Sequence, residues 1–145
     1  MTDITLRPAR LEDTEGLAHC IDRAYEPFRK TIPDLPDVSA GLAEDIQDHT
    51  VNVAMAGDEI VGGSVLILSE NRATLANIAV APDQGGKGIG GLLIRQVEVD
   101  TKAAGHTELH LATHVDMPQN VKLYEHLGWK VTETTGHKVL MVKQL

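Results

Sequence analysis

Ile78-Ala79-Val80-Ala81-Pro82-Asp83-Gln84-Gly85-Gly86-Lys87-Gly88-Ile89-Gly90-Gly91-Leu92-Leu93 sets five glycines within seven residues between an apolar, strand-like run and a helix-like one. Glycines at such a junction let backbone N–H groups approach an anion, and the helix N-terminus adds its partial positive charge. A turn that needs only positive φ uses one or two glycines, so five point to a ligand that carries phosphate. The P-loop class requires Lys-Ser/Thr after the last glycine, but Leu92 and Leu93 follow Gly91, and that class fails. Gly86, Gly88 and Gly91 match the dinucleotide pattern G-x-G-x-x-G. That pattern opens directly after the first strand of a βαβ unit, whereas here Ala81 to Gly85 intervene and five elements precede. A dinucleotide binder therefore stays as the weaker alternative.

Reading outward from the glycines, the chain alternates clear strand and helix signals. Upstream, Ile4-Thr5-Leu6-Arg7 alternates as a strand, and residues 11–28 carry Leu17, Ala18, Ile21, Ala24 and Tyr25 at helical spacing. Pro27, Pro33 and Pro36 break into a loop, after which residues 38–47 read as a second helix. Residues 51–55 and 60–68 form a hairpin about Ala56-Gly57-Asp58-Glu59, and residues 74–80 add a third strand. Downstream, Ile89, Leu92, Leu93 and Val97 mark a helix that Gly105 stops, followed by a strand over 109–115. Pro118 opens a short helix closed by Gly128, and two strands flank Gly136. The order is β-αα-βββ-α-β-α-ββ. It predicts an α/β fold with a central mixed, mostly antiparallel sheet of about seven strands and helices on both faces.

The 145 residues suit one domain, 1–145, with a single core; 42% are hydrophobic and 23% charged, which excludes disordered and low-complexity classes. The net charge is −8 and aromatic residues make up 3%, so no nucleic-acid partner is expected. The excess is one-sided: residues 1–72 hold 6 basic and 14 acidic side chains, and residues 73–145 hold 7 of each. The lone Cys20 forms no intrachain disulfide, and no apolar run reaches the length of a signal core or a membrane span. A cytoplasmic location and no membrane role are the expectations.

The stretch from Ile78 to Leu93, with Asn120-Val121-Lys122-Leu123-Tyr124-Glu125-His126-Leu127-Gly128-Trp129 downstream, resembles the GNAT superfamily of acyl-CoA-dependent N-acetyltransferases. The resemblance covers nearly the whole chain. It departs at one place: the Gln/Arg of the family's phosphate loop is replaced by Gly85, with Gln84 one position early. The resemblance implies acetyl-CoA as cosubstrate, seated between the strands at 75–80 and 109–115. Ile78, Ala79 and Val80 would meet the pantetheine arm and polarise the thioester carbonyl. Gly85, Gly86, Lys87, Gly88, Ile89, Gly90 and Gly91 would cradle its phosphates, and Asn120 would contact its arm. Tyr124 stands where the family has the proton donor for the departing thiolate.

A base for the acceptor amine is less plainly marked, since Thr74-Leu75-Ala76-Asn77-Ile78 holds no acid. His110 and His114 alternate on one face of the next strand, and an imidazole suits amine deprotonation. His114, toward the open end, is the candidate base; deprotonation through ordered water is the alternative. Roughly 13 Å of strand separates the two, so no metal is expected. The resemblance assigns the acceptor site to the first two helices and their loop, where Tyr25, Phe28 and Glu44 are candidate substrate contacts, along with Asp34 and Asp37. Their carboxylates would favour a cationic amine, on a small molecule or a protein. A GNAT-fold module that binds CoA without catalysis is the competing reading, and a homodimer paired through strand edges is an expectation of the resemblance.

Overall fold

A computed structural model describes residues 3–29, 32, 40–84 and 88–145; Gly85, Gly86, Lys87, Asp34 and Asp37 lie outside the described residues. Seven strands form one sheet: β1 (Ile4–Pro8), β2 (Thr50–Ala56), β3 (Glu59–Leu68), β4 (Ala73–Val80), β5 (Glu108–His114), β6 (Lys130–Thr135) and β7 (Lys138–Gln144). Their spatial order is β1-β2-β3-β4-β5-β7-β6. Every pairing is antiparallel except that of β4 with β5. The described helices are α1 (Thr14–Arg29), α2 (Leu42–Asp48), α3 (Ile89–Ala103) and α4 (Pro118–His126). The sheet and helix order match the sequence reading. Boundaries differ by a few residues, most visibly at the first helix. Residues 11–13 form a separate 3-10 turn before α1, and α1 runs through Pro27 to Arg29, Pro27 contributing no amide to the last turn.

The core has two faces. Leu17 and Ile21 of α1 and Leu42 of α2 pack on Val51, Val53, Val65 and Ala79. On the other face Ile94 and Val97 of α3, Tyr124 of α4 and Trp129 pack on Leu66, Leu75, Leu109 and Met141. Each large side chain fully withdrawn from water contributes roughly 1.5–3 kcal/mol. At the N-terminal end, Asp13 is buried and takes two hydrogen bonds from Arg7, at 2.7 and 3.0 Å, and one from the Arg10 amide at 2.8 Å. These bonds, Arg7's first, hold its carboxyl below the ordinary range and fix β1 to the start of α1.

Two irregularities in β4 shape the site. Val65 pairs with Asn77 but Leu66 with Leu75, so Ala76 is an extra residue, a β-bulge. Alternation along a strand would put residues 75 and 78 on opposite faces; the bulge resets the phase, and both pack toward α3 and α4. On its other edge, β4 shares a single register pair with β5, Thr74 with His110, among the described residues. Beyond that pair the two parallel strands open.

Small residues in β3 let helices close on both faces. A Cβ at Gly62 would lie 3.0 Å from the Ala79 carbonyl oxygen and 3.1 Å from Ile89 of α3. A Cβ at Gly63 would overlap Leu17 Cδ1 of α1 and lie 3.1 Å from the Asn52 carbonyl oxygen. Leu17 is fully buried and has nowhere to move. Gly63→Ala is therefore expected to lower stability by about 1–3 kcal/mol through overpacking. Urea unfolding checks this, and an unchanged midpoint would contradict the packing described.

Candidate active site

Beside β4, past its register pair with β5, lies a cleft of about 300 Å³ walled by helices from both faces of the sheet. Its walls are Ala24, Tyr25 and Phe28 from α1, Ile78, Ala79 and Val80 from β4, Gly90, Gly91 and Ile94 from α3, Asn120, Leu123 and Tyr124 from α4, and Leu127 just past its end. Because β5 has parted from β4 here, the edge of β4 past Thr74 has no described partner strand on that side. Its main-chain polar groups are open to a ligand lying along it, as an added strand would be.

At one end stands the N-terminus of α3. Gly88 takes the left-handed conformation, φ +74°, that glycine adopts without strain, and no side chain caps the helix. The Leu92 amide bonds to Gly88 O, and among the described residues nothing takes up the amides of Ile89, Gly90 and Gly91, the helix's first donors. The Ile89 side chain is buried in the core against Ala54, Val61 and Leu93, so only its backbone can serve the cleft. Gly90 and Gly91 line the cleft directly.

Tyr124 projects from α4 into the cleft wall. Its ring meets Trp129 edge-on at 5.8 Å, and the Trp129 amide bonds back to the Tyr124 carbonyl at 2.9 Å, which fixes the ring's position. Among the described residues nothing hydrogen-bonds its hydroxyl. Burial, and then the nearby Tyr25 phenol, push its pKa well up, so the hydroxyl keeps its proton through the working range. Asn120 lies one helical turn earlier, also in the wall, with its amide 3.8 Å from Met117 Sδ.

The expected substrate residues divide. Tyr25 and Phe28 line the cleft together, with ring centroids 6.3 Å apart, whereas Glu44 is exposed on α2 and is not among the lining residues. No carboxylate is among the described lining residues. Nor do His110 and His114 line the cleft. His110 sits at the one described register pair of β5 with β4, its pKa lowered by burial and by Arg72. His114 stacks on His137, with ring centroids 5.4 Å apart, and its Nδ1 accepts the Asp116 amide at 3.0 Å. That bond puts the proton of the neutral ring on Nε2. Cys20 is buried, its thiol pushed up to about 11 by desolvation, which suits a core side chain rather than a nucleophile.

Sequence reasoning passed over Asn77. It follows the bulge, and its Oδ1 accepts a hydrogen bond from the Tyr25 hydroxyl at 3.5 Å. A polar side chain between Ala76 and Ile78 was a visible signal; its partner 52 residues earlier was not. Among the described residues no group of three or more His, Cys, Asp or Glu could hold a metal ion. Among them, too, no helix is long and apolar enough to cross a membrane.

Comparison with known proteins bears on this geometry. No curated protein matches the chain. Among solved structures, the PaiA N-acetyltransferase from Thermoplasma acidophilum, in complex with coenzyme A, is 22% identical with a TM-score of 0.89, covering 99% of each chain. The ribosomal-protein-S18-alanine N-acetyltransferase from Escherichia coli is 20% identical with a TM-score of 0.80, covering 98% of this chain and 94% of that one. A GNAT family acetyltransferase from Elizabethkingia anophelis with acetyl-CoA bound is 21% identical with a TM-score of 0.71, covering 98% of each. At these identities the likeness is one of fold. The profile of the acetyltransferase (GNAT) family matches residues 17–129, most of the chain. The chain belongs to the acetyltransferase (GNAT) family.

Proposed function

We propose that this chain, acting as a single domain, transfers the acetyl group of acetyl-CoA to a primary amine by direct attack in a ternary complex. The observation that carries this reading is the opening past Thr74 and His110, with the uncapped start of α3 at one end and the Tyr124 hydroxyl in its wall. Two relatives of the same fold were solved with coenzyme A and acetyl-CoA, which supports that cosubstrate. The amides of Ile89, Gly90 and Gly91 take the pyrophosphate, helped by the helix dipole, and Gly85, Gly86, Lys87 and Gly88 extend that cradle in sequence. The pantetheine arm runs along Ile78, Ala79 and Val80 like an added strand, and Asn120 faces it from α4. A main-chain N–H on the thioester oxygen lowers the barrier by about 3 kcal/mol, because it meets charge that develops in the transition state.

The amine nitrogen attacks the thioester carbon and forms the C–N bond; the tetrahedral intermediate then breaks its C–S bond. The leaving thiolate takes the proton of Tyr124 Oη, which solvent restores. Burial that keeps this phenol protonated suits a donor. The proton lost by the amine passes to water, since neither His114 nor His110 reaches the cleft wall. The acceptor is an amine on a small molecule or on a protein.

Three outcomes are expected. Acetyl-CoA at a hundredfold over its Kd stabilises the chain by about 2.7 kcal/mol in thermal unfolding; stabilisation by NAD instead would contradict the reading. Tyr124→Phe lowers kcat about 100-fold with the acetyl-CoA KM unchanged, measured as thiol release; wild-type rates at every pH would remove Tyr124 as the acid. Tyr25 and Tyr124 are the chain's two tyrosines, and burial raises both pKa values from 10.0. Tyrosinate absorbance at pH 10 should therefore stay well under half its full value. Half-ionisation there would show that the phenols face water.

A further inference from the structure

Tyr25 and Asn77 form a pair that the transfer chemistry above does not use. Tyr25 sits on α1 within the cleft wall, and Asn77 is the residue that the Ala76 bulge brings to the α1 side of β4. We propose that the Tyr25 hydroxyl, anchored on Asn77, positions the acceptor amine for attack; this rests on the acetyl-transfer reading.

The geometry assigns direction. Tyr25 Oη donates its proton toward Asn77 Oδ1, at 3.5 Å, so the lone pairs on Oη remain able to accept an N–H from a ligand. Three and a half ångströms is long for an O–H···O bond, which leaves the hydroxyl located but weakly spent. Tyr25 and Tyr124 line the same cleft, so the two phenols border one reaction space. They enter it from different helices, α1 and α4. Tyr124 gives a proton to the departing sulfur, while Tyr25 holds one N–H of the arriving nitrogen and leaves its lone pair free to meet the carbonyl.

The chemistry of the pair also defines what is held. Both groups are neutral, and no carboxylate is among the described lining residues. The Tyr25 phenol oxygen holds an uncharged amine through a hydrogen bond. The amine must carry two N–H groups, one held by Tyr25 and one lost on acylation, which fits a primary amine. The rings of Tyr25 and the neighbouring Phe28 also line the cleft and supply apolar surface for the carbon that bears that nitrogen.

Steady-state kinetics on the full chain test the assignment, with acetyl-CoA and each of a panel of primary amines as substrates. Tyr25→Phe keeps the ring and removes the oxygen; it should raise the amine KM about tenfold, the loss of one hydrogen bond to ligand, while the acetyl-CoA KM stays within about twofold. Asn77→Ala should raise the amine KM in the same way. The double variant should be no worse than Tyr25→Phe, because both substitutions act through one hydroxyl. An unchanged amine KM in Tyr25→Phe would overturn the inference, as would additive effects. So would a parallel rise in both KM values with a lowered Tm, which would mark a structural role. The transfer reading fails differently: wild-type chain that releases no thiol with any amine overturns both, whereas active wild type with an unaffected Tyr25→Phe overturns the positioning role alone.

Discussion

The site depends on a hydrogen-bond ladder that stops. Parallel β4 and β5 are bridged at Thr74 and His110 and then part, so the sheet carries an interior edge. Edges are ordinarily a hazard, and chains cover or twist them. Here α3 and α4 wall the gap on one face and α1 on the other, which turns unpaired main chain into a cleft. The Ala76 bulge belongs to the same device. It bends β4 where pairing is lost and turns Ile78 toward α3 while Asn77 meets α1.

Packing holds helices close on both sides of that gap. Gly62 and Gly63 let Ile89 and Leu93 approach β3 from one face and Leu17 from the other. The start of α3 and the middle of α1 are thereby held against the same short length of sheet. On the far side, the Tyr124–Trp129 contact and the backbone bond between the same two residues secure α4 to the following loop. The walls are neutral among the described residues, and three carboxylates are engaged away from them: Asp13 with Arg7, Glu98 with Lys143, and Asp100 with Asn52 and Gln96. The acidic excess of the first half of the chain is thus not concentrated on the described cleft.

What could be read from the sequence was whatever is encoded locally. The glycines after Val80 announce a strand-to-helix junction by composition, and Gly88 does adopt positive φ there. Asn120 and Tyr124 share one short helix at fixed spacing, so their presence on one wall follows from helical geometry. Nonlocal features were not legible. The bulge at Ala76 depends on register with Leu66, and the Tyr25–Asn77 contact joins residues 52 apart. Strand alternation alone aimed His114 at the opening. In the structure the β6–β7 hairpin brings His137 over that ring and occupies it, an arrangement that no pattern within β5 specifies. Glu44 illustrates the same limit, because helical spacing fixes the face of α2 but not the distance from that face to the cleft.

The central claim is that the open edge of β4 receives the pantetheine arm of acetyl-CoA. Amide hydrogen exchange resolved by residue tests it directly, with the chain compared before and after saturation with acetyl-CoA. The account predicts added protection at main-chain amides of residues 78–80 and at the first amides of α3, with β1 and β2 unchanged. Saturable binding of acetyl-CoA that leaves residues 78–80 exchanging as before would contradict it.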